Sequence, residues 1–97
     1  MGPSDPSRVQ PWTAVEHWTA VERAGVVVLT RSFSFPDWKT ALAFVNAVGA
    51  LADAQDHHPL VELTWGRVTL FVWTHDEGGV GPRDIALCRG INALPRP

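Results

Sequence analysis

The chain has a single cysteine, Cys88, and no tyrosine. One thiol excludes an internal disulfide and any cysteine-rich zinc site. No apolar run approaches the ~20 residues that a bilayer-spanning helix needs. The opening "MGPSDPSRVQ" lacks the apolar segment of a signal peptide. These absences predict a cytoplasmic protein. Positive charge is not in excess either: the formal net charge is -2 and the pI about 6.0. That argues against a nucleic-acid binder working by phosphate neutralisation. The glycines of "EGGVG" (Glu77 to Gly81) follow a strand-like run but lack the lysine of a phosphate-binding loop. No serine or cysteine stands in a nucleophile-elbow context, so a hydrolase triad is not indicated.

What is present fits one domain over residues 1–97. At 45% hydrophobic residues the chain can form a core, but a small one that oligomerisation would help. Residues 1–11 carry three prolines and few apolar side chains, and are expected to be flexible, with a short helical turn between Pro11 and His17. "HWTAVE" (His17 to Glu22) reads as a strand, "RAG" as a turn, and "VVVLTRSFSF" (Val26 to Phe35) as a second strand. A helix follows from about Phe35 to about Asp53, with Ser34 as N-cap and Asp37 at N3. Its apolar residues cover most of its circumference, so one face should pack on a sheet and another on a second copy of the chain. Pro59 ends the helix by biasing His58 away from helical torsions. "LVELTW" (Leu60 to Trp65) and "VTLFVWTH" (Val68 to His75) alternate as strands around a "GR" turn. Pro82 suits N1 of a last helix, with Gly81 as N-cap and Asp84 at N3. The order β-β-α-β-β-α predicts an α+β fold, a four-stranded antiparallel sheet with helices on one face.

Three of the four histidines fall at element ends: His57 and His58 before the third strand, His75 at the end of the fourth. If those strands form a hairpin, the three become neighbours in space. Imidazole gives and takes protons near neutrality, so two of them can serve as general acid and base. Asp53 can orient one of them. Such a set suits elimination of water, where hydroxide leaves only with a proton. Three imidazoles can also hold zinc, but adjacent histidines diverge and the i, i+4 spacing is absent, so no metal is expected. Asp84 reads first as a helix N-terminal charge. Trp12, Trp18 and Trp38 read as packing residues; Trp65 and Trp73 lie on the strands that frame the histidines.

The combined spacing resembles the pterin-4a-carbinolamine dehydratase family. An acid, three residues, His-His-Pro, an aromatic, Thr-His, a glycine-containing loop and Arg-Asp are filled by Asp53, His57, His58, Pro59, Trp65, Thr74, His75, Gly79, Arg83 and Asp84. The resemblance implies removal of water from a 4a-hydroxytetrahydropterin to give a quinonoid dihydropterin, a carbon–oxygen lyase step in tetrahydrobiopterin recycling. The pterin is the substrate, and no cofactor takes part. His57 and His75 would be acid and base, with His58 holding the ring and Asp53 as their carboxylate. Asp56, His57, His58, Trp73, Thr74, His75 and Asp76 would line the pterin site, with Trp65 and Asp84 in support. Members assemble as dimers or tetramers, here through the 35–53 helix. The alternative from another class is a non-catalytic binding, assembly or dimerisation module on the same fold; a third reading keeps the chemistry on a different substrate.

Overall fold

The computed structural model describes residues 15–74 and 79–96. Strands β1 (Thr19–Arg23) and β2 (Val26–Ser34) lead into helix α1 (Trp38–Gln55). Strands β3 (Leu60–Thr64) and β4 (Arg67–Val72) follow, then helix α2 (Pro82–Asn92). The sheet is antiparallel throughout in the order β1-β2-β4-β3, the α+β arrangement expected. Pairing of Arg23 with Val26 leaves Ala24-Gly25 as a two-residue turn with φ of 52 and 81. That is the hairpin turn whose twist matches the strands. In the other hairpin Thr64 pairs with Arg67, so Trp65-Gly66 make the turn and Arg67 belongs to the strand rather than to a "GR" turn.

The start of α1 differs from the sequence expectation. Ser34 is not the cap, because β2 stays extended through it and pairs it with Arg67. The Phe35 N–H then donates to the Gly66 carbonyl at 2.8 Å, holding the chain off helix for longer. Asp37 is the N-cap, its Oδ1 accepting from the Thr40 N–H at 2.8 Å and the Thr40 hydroxyl at 2.7 Å. A hydroxyl or carboxylate three residues before a free N–H is the usual remedy for a helix start.

Both helices cover one face of the sheet. Leu29 and Phe33 of β2 and Val68, Leu70 and Val72 of β4 meet Ala41, Phe44 and Val48 of α1 and Leu87, Cys88 and Ile91 of α2. The Phe44 ring sits 4.6 Å from Phe33 and 5.2 Å from Phe35, centroid to centroid. Deleting such a ring costs ~3–5 kcal/mol. On α1 the buried stripe is Ala41, Phe44, Val48 and Ala52. Beside it runs a second apolar stripe that the chain leaves uncovered, with Trp38 45% and Leu42 39% exposed. Trp38 is therefore not the packing residue expected. Trp18 is one, buried with its indole N–H donating to Asn92 Oδ1 at 2.8 Å. Trp12 and the expectations for residues 1–11 lie outside the described residues, while residues 15–17 form a turn rather than helix.

Candidate active site

The end of α1 aims His57. Asp56 adopts the left-handed region, φ 52 and ψ 43. The Asp56 N–H bonds to the Asp53 carbonyl at 3.2 Å and the His57 N–H to the Ala52 carbonyl at 3.1 Å. This is the Schellman arrangement, which satisfies the last carbonyls and turns the chain sharply off the helix axis. Pro59 then commits the chain to β3. The turn directs the His57 side chain under the start of α2, where it is 9% exposed.

There it meets Asp84. His57 Nε2 lies 2.5 Å from Asp84 Oδ1. Asp84 Oδ2 accepts from the Thr74 hydroxyl at 2.7 Å and from the Gly81 N–H at 2.8 Å. Asp84 is fully buried, and among the described residues every buried side-chain polar atom is partnered. A carboxylate taken out of water needs this degree of satisfaction. An ionised carboxylate can only accept, so facing one, His57 would carry its proton on Nε2, with Nδ1 not engaged by Asp84. Asp84 thus holds the orientation of the His57 ring. It is also the N3 residue of α2, as expected, since Pro82 and Gly81 form the helix start. Its partnership with His57 was missed by reading it as a helix-terminal charge.

The other candidates are placed unequally. His58 Nε2 is 2.8 Å from Asp53 Oδ1, with side chains 57% and 83% exposed. Asp53 therefore orients His58 and not His57. Asp56 contributes its backbone turn, and its carbonyl accepts from Arg83 Nη2 at 2.6 Å. Thr74 and Gly79 are joined by a two-way backbone bridge of 2.6 and 3.3 Å. The hairpin does set the end of β4 beside the residues before β3: Leu60 pairs with Phe71, and Thr74 shares Asp84 with His57. His75 and Asp76 lie outside the described residues. Trp73 lines a cleft on the helix-free face. Trp65 sits in the turn at the far end of β3, 67% exposed, and is not brought to the histidines.

A cleft of about 270 Å³ beside His57 is lined by Gln55, Arg83 and Ala86. A larger one, about 330 Å³, opens on the helix-free face between Arg23, Ala24, Val26, Val28, Leu60 and Trp73. Among the described residues its one ionisable wall is Arg23, whose guanidinium stands 4.2 Å over the Phe71 ring. An arginine does not give up its proton, so among the described residues this cleft carries no proton-transfer group, whereas the smaller one borders His57. Among the described residues no three His, Cys, Asp or Glu side chains are grouped to hold a metal ion. No helix among them is long and apolar enough to cross a membrane.

Comparison with known proteins gives the same family as the motif spacing. The family model described as pterin 4 alpha carbinolamine dehydratase matches residues 4–94. A protein of Chlorobium limicola provisionally named pterin-4-alpha-carbinolamine dehydratase is 49% identical over 77 residues, 79% of this chain and 68% of that protein. One of the same provisional name from Rhizorhabdus wittichii is 37% identical over 91 residues, 94% of this chain and 92% of that protein. Among solved structures, the transcriptional coactivator/pterin dehydratase from Brucella melitensis superposes with a TM-score of 0.75 at 36% identity, covering 84% of this chain and 85% of that one. A pterin dehydratase-like protein identified as a RuBisCO assembly factor in the alpha-carboxysome shares the fold, with a TM-score of 0.66 at 19% identity over 78% of this chain and 86% of that one. A family match over nearly the whole length, joined to relatives well above 30% identity, shows that the chain belongs to the pterin-4-alpha-carbinolamine dehydratase family.

Proposed function

We propose that the protein dehydrates a 4a-hydroxytetrahydropterin, with His57 as one of two proton-transfer groups. The observation that carries this reading is the buried His57–Asp84 pair beside an open cleft. In the reaction the N5 proton leaves to a base and the C4a–O bond breaks. The departing hydroxyl takes a proton from an acid and leaves as water, while a C4a=N5 double bond forms. His57, held by Asp84 through Nε2, works through Nδ1; His75 is the second group. His58, paired with Asp53, binds the ring, and Asp56, Thr74 and Asp76 line the pterin site with it. The pterin is substrate, and neither metal nor organic cofactor enters the proposal. The uncovered stripe of α1 seats a second copy, making the working unit a homodimer or homotetramer in the cytoplasm, with no nucleic-acid partner.

Ultraviolet assay of 4a-hydroxytetrahydropterin dehydration tests the reading. His57→Ala and His75→Ala are each expected to lower turnover by about 10²-fold or more, the scale of a lost general acid or base. Full activity in both would leave a binding or assembly module as the function of this fold.

A further inference from the structure

α1 has no basic residue in its own last turn, where exposed carbonyls carry the negative end of the helix dipole. The missing cation comes from α2. Arg83 stands in the first turn of that helix, where a positive charge opposes the helix's own dipole. Its guanidinium reaches back and donates to the Asp56 carbonyl at 2.6 Å. The arginine thus trades an unfavourable helix start for a favourable helix end. The carbonyl it holds belongs to the left-handed residue directly before His57, φ 52 without being glycine. The torsions of Asp56 set where the His57 side chain leaves the backbone. A non-glycine residue in this region persists when its surroundings hold it there.

We infer that Arg83 is a positioning residue: by clamping the Asp56 carbonyl it locks the turn that aims His57 at Asp84. The inference rests on His57 being part of the acid–base machinery. Arg83 also borders the cleft with Gln55, His57 and Ala86. The rival role is therefore direct contact with substrate, and the two roles separate by experiment.

Arg83→Met keeps the side-chain stem and removes the donors; Arg83→Lys restores one. Nitrogen-15 NMR of the His57 ring, on the whole chain without substrate, reads the clamp independently of catalysis. The clamp predicts that Arg83→Met broadens the His57 resonances and lowers its Nε2–H population, and that Arg83→Lys recovers much of both. Because the bond is exposed, the kinetic effect is modest, about threefold to tenfold in kcat with KM within about twofold. An unchanged His57 ring in Arg83→Met overturns the clamp, as does a raised KM with kcat intact, the mark of a substrate contact. If the unaltered chain proves inactive on pterins, the dehydratase reading fails by itself and the NMR result still decides the clamp.

Discussion

Asp84 holds three partners from three parts of the chain: His57 after α1, Thr74 after β4 and Gly81 before α2. In Asp84→Asn with the amide NH₂ facing His57, the amide oxygen keeps both Thr74 and Gly81. His57 Nε2 must then accept, which drives the proton to Nδ1, the nitrogen the ligand needs free. Turnover is expected to fall by about 10²-fold, with a stability loss of ~1–3 kcal/mol from replacing charge-assisted hydrogen bonds by neutral ones. Nitrogen-15 shifts of His57 check the tautomer directly; an unaltered tautomer would contradict the role given to Asp84. The residue's burial was legible in principle. Asp84, Leu87, Cys88 and Ile91 share one helical face and all are buried. A carboxylate on an apolar stripe calls for a partner. Which partner was not legible, because His57 lies 27 positions away and only the fold brings it near. Cys88, on the same face, has its thiol pushed up to about 12 by burial and, secondarily, by the Asp84 charge. The unfolded thiol ionises near 8.5, so above that pH the unfolded chain has lost a proton that the native chain keeps. Stability therefore falls as pH rises from about 9 toward 12, by roughly 2 kcal/mol at pH 10 from this group. Urea midpoints across that range should decline less steeply in Cys88→Ala; parallel declines would remove Cys88 as the cause.

Among the elements, strands and hairpins followed the sequence expectation closely because alternation and a two-residue turn leave few registers open. The helix start did not, since nothing local in "SFSFPDW" announces that Gly66 will hold Phe35 extended. Gly66 has a physical reason to be glycine, as a Cβ there would sit 2.8 Å from the Phe35 carbonyl oxygen. The near-continuous apolar surface of α1 was legible as a demand for two partners, and the chain itself supplies one. Trp38 and Leu42 remain exposed on the second stripe, next to Gly49, where an added Cβ would meet nothing within 4 Å. Covering a leucine of this kind is worth about 1.5–3 kcal/mol when complete. Light scattering of the unaltered chain is expected to give at least the mass of a dimer, and Leu42→Glu the mass of a folded monomer. A stable monomer before substitution would contradict the interface placed on α1.

At the scale of the whole molecule, the sheet brings together groups that the sequence keeps apart. The β3–β4 hairpin sets the end of one strand beside the start of the other, and α2 returns across them with Asp84. Asp53, close to both histidines in sequence, serves only His58; Asp84, distant from both, serves His57. Trp65 shows the limit of spacing as a guide, for its strand carries it to the far end of the sheet. The central claim is that this convergence makes His57 a proton-transfer group for pterin dehydration. Its most direct test is the rate of 4a-hydroxytetrahydropterin dehydration, followed by ultraviolet absorbance, in His57→Ala beside the unaltered chain at matched fold and mass. The account predicts a fall in kcat of about 10²-fold or more; equal rates in the two would contradict it.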